Sequence, residues 1–198
     1  MFRDKRAKKI AIVANCLLNQ NAKVAELADY PAQVPGLTEL LCRYDFGIEQ
    51  LPCPETYTVG VRRFWQVKPQ YQTRGISRDY EFLAEVFLDR IEDYLRNGFT
   101  VVLIGVDGSP SCGINITDSD DHNLWLGRPC LTEEQCGAGE DAEIFREGQG
   151  AFIDKLDECL RRRGLDPVPS FGLSLDIQGS SLDFSGLEEF LQRHAAAE

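Results

Sequence analysis

Histidine is nearly missing from this chain, with two in 198 residues, His122 and His194. One falls in an acidic stretch and the other near the C-terminus, so a Ser-His or Cys-His nucleophile is poorly supported. Long apolar runs are missing too. No stretch approaches the roughly 18 consecutive apolar residues of a membrane-spanning helix, so no membrane association is expected. A basic excess is also absent. The 21 Lys and Arg stand against 32 Asp and Glu, a net charge of −11, which argues against a broad nucleic-acid footprint. There is no internal repeat, no low-complexity tract and no CxxC pair of the kind zinc ribbons use.

A secretory leader is only imitated. The basic start MFRDKRAKK runs into IAIVA, but Asn15 ends that apolar run well short of the ~7–15 residues of a leader core. Val13-Ala14-Asn15-Cys16 has the outline of a lipoprotein cleavage site, with Asn15 standing where a small residue is required. The expectation is a cytoplasmic protein. There, an odd count of seven cysteines serves metal binding or catalysis more readily than disulfides.

What the chain has is enough apolar material, 43% of its residues, for one large domain spanning 1–198. Residues 10–14 form a short β-branched run that predicts a buried strand. Apolar positions 37, 40, 41 and 44 have helical spacing. Residues 46–51 predict a second strand, ending at Pro52-Cys53-Pro54. Residues 79–97 predict an amphipathic helix stopped by Gly98, and TVVLIGV at 100–106 a central strand that is apolar on both faces. A helix is expected over 144–163, a fourth strand over 168–175 and a closing helix over 182–193. Strands alternating with helices imply an α/β fold: a mainly parallel sheet flanked by helices, a Rossmann-like three-layer sandwich.

Two segments fit no element. Residues 56–80 hold the basic side chains Arg62, Arg63, Lys68, Arg74 and Arg78 and the aromatics Tyr57, Phe64, Trp65, Tyr71 and Tyr80. They read as a lid-like segment whose rings stack on a flat heterocycle and whose arginines meet an anionic group, with Arg63 and Tyr71 the first candidates. Residues 118–143 read as an acidic loop or insertion.

Ligands of open parallel sheets sit outside the carboxyl ends of the strands. Cys16 follows the first strand, Cys53 the second and Cys112 the third, so three thiols far apart in sequence should converge at one sheet edge. Such a set suits a metal or cluster with three protein ligands and an open position. Buried small hydrophobes are the bland alternative for each Cys taken singly.

Three stretches, Cys16-Leu17-Leu18-Asn19-Gln20-Asn21, Cys53-Pro54-Glu55 and the run Gly105 to Gly113 containing Ser109-Pro110-Ser111-Cys112-Gly113, together resemble the thiouracil desulfidase family and its relatives. The resemblance runs from about residue 8 to 117, with weaker support from Gly148-Gln149-Gly150 onward. It implies a [4Fe-4S] cluster held by three cysteines with one open iron, and non-redox conversion of C=S to C=O with release of sulfide. Carried over residue by residue, it makes Cys16, Cys53 and Cys112 the ligands and Ser109 a serine that assists at the substrate. Asn19 and the 56–80 segment look more like the desulfidase relatives than the founding thiouracil enzymes. The expected partner is therefore a small thiolated heterocycle, with Asn19, Arg63, Tyr71 and Ser111 as candidate contacts.

The chemistry points the same way. An iron with an open site is a Lewis acid that prefers soft sulfur. Water attacking the activated carbon needs a base, for which Glu55 is the first candidate and Asp107 the second. Ser109 before Pro110 is also a helix N-cap signature. Two rivals stay open: a cluster or zinc protein using the same cysteines without turnover, and a metal-free enzyme with Cys112 as nucleophile. Cys42 and Cys159 are expected to be structural, and Cys130 and Cys136 to be neither paired nor ligating. Nothing indicates the oligomeric state.

Overall fold

The computed structural model describes residues 4–119, 145–175 and 182–195. Its strands, in chain order, are β1 (Lys9–Ala14), β2 (Gly47–Leu51), β3 (Thr100–Val106), β4 (Ile116–Asp118), β5 (Phe145–Glu147) and β6 (Ser170–Leu173). Four of them form one parallel sheet in the order β2-β1-β3-β6. The helices are α1 (Asn15–Leu18), α2 (Leu37–Arg43), α3 (Pro54–Thr58), α4 (Lys68–Tyr71), α5 (Arg74–Arg96), α6 (Ala151–Arg162) and α7 (Ser185–Ala195).

Handedness decides which helix covers which face. The chain steps one way along the sheet from β1 to β2, then the other way from β2 over to β3 and on to β6. Right-handed crossovers therefore put α2 on one face and α5 and α6 on the other. Side-chain contacts agree. Arg163, just past α6, pairs with Asp89 (2.8 Å) and Glu92 (3.0 Å) of α5. Arg43 of α2 pairs with Glu188 of α7 (2.8 Å). These partly exposed pairs contribute at most ~1 kcal/mol each. Burial of Leu88, Ile91, Phe152, Ile153, Leu156 and Leu160 between sheet and helices stabilises the fold more, at roughly 1.5–3 kcal/mol per side chain. Covered on both faces, β3 is buried from Val101 to Val106, as its unbroken apolar sequence requires.

The expected α/β sandwich is observed, with shifted boundaries. Helix α5 starts at Arg74 rather than 79, because Thr73 Oγ1 accepts a hydrogen bond from Ile76 N and caps it one turn ahead of the apolar pattern. The helix expected from 144 begins at Ala151. Residues 145–147 instead form β5, antiparallel to β4, and Gly148 (φ 131°) turns the chain between strand and helix. Segment 56–80 takes in the end of α3, all of α4 and the first turns of α5; Tyr71 and Tyr80 are buried in the core, while Tyr57 and Phe64 are exposed. Among the described residues no helix is long and apolar enough to cross a membrane.

Candidate functional site

The direction of winding reverses at β1, so the crevice between the carboxyl ends of β1 and β3 is the switch point of this sheet. A cavity of about 460 Å³ lies there, a size usual for small-molecule sites. Cys16, Cys53 and Cys112 all line it. Each arrives from a different strand end: Cys16 in the turn of α1 after β1, Cys53 as the N-cap of α3 after β2, and Cys112 in the loop after β3.

The three thiols sense one another. Burial pushes the Cys16 thiol up to about 12, and the neighbouring Cys53 adds to that shift. Burial likewise holds the Cys112 thiol well above its usual value, with Cys16 and Cys53 as the next causes. Three thiolates gathered out of water repel one another unless a positive group sits among them. Cys53 has the surroundings of a thiolate ligand, since Thr56 N (3.4 Å) and Thr56 Oγ1 (3.1 Å) both donate to its Sγ. The donor set fits a soft, thiophilic group such as an iron–sulfur cluster. Among the described residues, no three His, Cys, Asp or Glu side chains converge closely enough to hold a single metal ion.

Glu55 is 8% exposed and faces the same cavity. Its Oε2 accepts from Arg63 Nε at 2.7 Å, and Tyr71, which lines the same cavity, lies close enough to feel its charge. Burial raises the Tyr71 pKa and the charge of Glu55 raises it further, so Tyr71 is a neutral donor at ordinary pH. Arg63 is engaged on every nitrogen. Besides Glu55, Nη1 donates to Thr56 Oγ1 (3.3 Å) and Gly60 O (3.4 Å), and Nη2 to Ala22 O (2.8 Å). Burial is the largest single influence and works against its charge, yet Glu55 together with the neighbouring Cys53 and Tyr71 raises its pKa on balance. Arg63 was expected to meet an anionic group on a substrate; it lines the cavity, and the anionic group it meets in the structure is Glu55.

The loop after β3 is held by its own polar groups. Asp107 Oδ1 accepts from Ile114 N (3.0 Å) and Asn115 N (2.9 Å), and Oδ2 from Asn115 Nδ2 (2.9 Å). This carboxylate lines the cavity but is committed to closing the loop, which weakens it as a base. Ser109 Oγ accepts from Cys112 N (3.0 Å) and Ser111 N (3.3 Å), so it caps a turn and not the helix its sequence suggested. Ser111 is fully buried with its Oγ 2.9 Å from the Tyr80 hydroxyl and is not in the cavity wall. The expectation that it meets substrate is not matched by this placement.

Gly148-Gln149-Gly150 now has a physical role. The first amides of α6 donate to the cysteine loop: Ala151 N to Pro110 O (2.8 Å), Phe152 N to Ser111 O (3.0 Å) and Gly150 N to Gly113 O (2.9 Å). That satisfies both the helix end and the loop carbonyls. Any Cβ at Gly150 would overlap the Ser111 carbonyl and come within 2.7 Å of Cys112 N. Gly108 is needed for another reason, its φ of 85°, and it leaves room for Phe145 from β5 in the wall.

Asn19 also lies elsewhere. It is exposed and outside the wall, with Oδ1 accepting from Asn21 N (3.1 Å). Its neighbour Gln20 is the buried one: Nε2 donates to Cys16 O (2.7 Å) and Oε1 accepts from Asp29 N (3.2 Å), tying the Cys16 turn to the far wall. The part of the wall with Lys23, Glu26 and Asp29, and Gln66 beside it, was not expected from the sequence, whereas Trp65 belongs to the aromatic segment expected to meet a ligand. Residues 21–34 have neither periodicity nor motif, so no signal pointed to them. Cys159 is buried on α6 as expected, whereas Cys42 on α2 is exposed. The expectations for Cys130, Cys136, His122 and most of the acidic stretch lie outside the described residues.

No family model matches the chain. Among curated proteins, the uncharacterized protein MJ0003 of Methanocaldococcus jannaschii is 32% identical over 109 residues, covering 55% of this chain and 70% of that protein. Among solved structures, a "[4Fe-4S]-dependent thiouracil desulfidase TudS" is similar at a TM-score of 0.42 and 21% identity, over 82% of this chain and 89% of the other.

Proposed function

This chain belongs to the family of the archaeal protein MJ0003, and on that premise we propose that it binds an iron–sulfur cluster through Cys16, Cys53 and Cys112 and removes sulfur from a small thiolated heterocycle. The observation that carries the reading is the gathering of three strand-end thiols and the Glu55 carboxylate around one cavity at the sheet's switch point. The motifs shared with thiouracil desulfidases support it.

The chemistry such a cluster supplies is an iron with an open site, a soft Lewis acid for a C=S sulfur. The chain does the rest. Glu55 accepts the proton of the attacking water at its carboxylate. Arg63 fixes the direction of that carboxylate as a positioning residue, itself held by its bond to the Ala22 carbonyl. Val24, Leu27 and Ile116 give the wall an apolar part for a flat heterocycle.

Anaerobic reconstitution with iron and sulfide, followed by a screen of thiolated heterocycles for sulfide release, tests the reading. Brown protein carrying close to four irons per chain and catalytic sulfide release is the expected result. Cluster without turnover would leave a carrier or sensor, and failure to take up iron would end the proposal.

A further inference from the structure

The three candidate ligands differ at their sulfurs. At Cys16 and Cys112 the hydrogen bonds run through the main chain: Gln20 Nε2 donates to Cys16 O (2.7 Å), and Cys112 N donates to Ser109 Oγ (3.0 Å). Among the described residues, only Cys53 of the three accepts hydrogen bonds at its sulfur, from Thr56 N (3.4 Å) and Thr56 Oγ1 (3.1 Å). The first bond follows from local sequence. Cys53 is the N-cap of α3, so its Sγ accepts from the amide three residues on, as a serine oxygen would. The second depends on where the Thr56 hydroxyl sends its proton.

A hydroxyl has one proton to give and can accept two bonds. Arg63 Nη1 donates to Thr56 Oγ1 at 3.3 Å, which fixes one accepting side. Two acceptors then compete for the Thr56 proton, Cys53 Sγ at 3.1 Å and Ala22 O at 3.5 Å. Ala22 O already accepts from Arg63 Nη2 at 2.8 Å, and 3.5 Å is long for a bond to oxygen but 3.1 Å is close for one to the larger sulfur. The proton therefore goes to Cys53. Donation runs one way, from guanidinium through hydroxyl to sulfur. The guanidinium is 3% exposed and paired with Glu55 at 2.7 Å, so its pull on the hydroxyl is little screened by water.

From this geometry we infer that Thr56 is a positioning residue: it passes the pull of Arg63 to the Cys53 sulfur and so draws electron density from the group bound there. That this group is an iron–sulfur cluster rests on the function proposed above; the one-way donation to Cys53 is a property of these side chains alone. Hydrogen bonds to a ligand sulfur favour the form of a cluster that carries more negative charge, so they raise its reduction potential. The same withdrawal makes an open iron a stronger Lewis acid.

The test is an anaerobic redox titration, followed by visible absorbance, of the full-length chain reconstituted with iron and sulfide, with iron content measured on each sample. Thr56→Val keeps the shape and the amide but removes the hydroxyl. It should keep its iron and shift the reduction equilibrium about three- to tenfold against the reduced form, the worth of one neutral hydrogen bond, or roughly 30–60 mV to more negative potential. Thr56→Ser restores the hydroxyl and should titrate with the parent. Thr56→Ala makes the same deletion with less bulk and decides the matter if Thr56→Val does not fold. Thr58→Val is the control: Thr58 Oγ1 donates to Pro54 O (2.8 Å) on the same short helix, so its loss should leave the potential where it was. A potential unmoved or raised by the Val and Ala deletions, a Ser variant shifted as far as they are, or an equal shift from Thr58→Val would overturn the role of Thr56 and leave the proposed function standing. Iron lost from both deletions would also overturn it, because Thr56 would then hold the group in place without tuning it. A parent chain that takes up no iron would overturn the proposed function and this inference together.

Discussion

Replacing Arg63 by Met while Glu55 stays in place isolates the buried ion pair beneath the candidate site. The Arg63 side chain is 3% exposed and that of Glu55 11%, with Nε and Oε2 2.7 Å apart. Met fills much of the space but leaves Glu55 as a buried carboxylate without its ion-pair partner, and it takes the Nη2 donor from Ala22 O. An uncompensated buried charge of this kind costs about 3–5 kcal/mol. At ~2–4 °C per kcal/mol for a chain of this size, the midpoint of thermal unfolding should fall by roughly 6–20 °C. The cost should come from the stranded charge more than from lost packing. Adding Glu55→Gln to Arg63→Met should therefore restore at least about half of the loss, a strongly non-additive cycle. Thermal and urea unfolding of the four metal-free proteins measure this directly. A loss below about 1 kcal/mol in the single variant, or simple additivity in the double, would refute the account of Glu55 as a carboxylate held out of water by Arg63.

Three further outcomes are expected. Glu55→Gln should keep the cluster yet slow sulfide release by about 10²–10⁴-fold, the usual contribution of a positioned base; release at the parental rate would take Glu55 out of the mechanism. Cys16→Ala, Cys53→Ala and Cys112→Ala should each lose the visible absorbance and activity together, while the exposed Cys42→Ala keeps both and the buried Cys159→Ala keeps both at about 1 kcal/mol in stability. Gly150→Ala should push the Ser111–Cys112 backbone away from α6, lowering stability by about 1–3 kcal/mol and iron content with it; calorimetry and iron analysis check this, and an unchanged iron content would mean that the loop does not depend on the helix end.

Amino-acid order was enough to reveal the elements whose burial is uniform or strictly periodic. TVVLIGV at Thr100–Val106 is the clearest case, because a strand covered on both faces has no polar side to disguise it. From strand–helix alternation followed the parallel sheet, and from the placement of Cys16, Cys53 and Cys112 after three strands followed their meeting at one edge. That step needs only topology. Boundaries were less legible where caps decide them, as at Thr73 and Gly148, since a capping hydrogen bond leaves no trace in apolar spacing.

What each polar side chain faces was settled only when the chain packed. Glu55, Asp107, Ser109, Ser111, Asn19 and Arg63 are all polar letters in the sequence. Yet Glu55 ends in the cavity, Asp107 closes its own loop, Ser111 turns to Tyr80 and Asn19 caps a turn in solvent. The far wall of Lys23 and Asp29, brought to the Cys16 turn by the buried Gln20, has no local signature at all. Hydrogen-bond direction and charge pairing are set by partners distant in sequence, such as Arg63 reaching Ala22. Apolar periodicity reports burial of one's own face and nothing about those partners, so the site's scaffold was readable in the chain and its electrostatics were not.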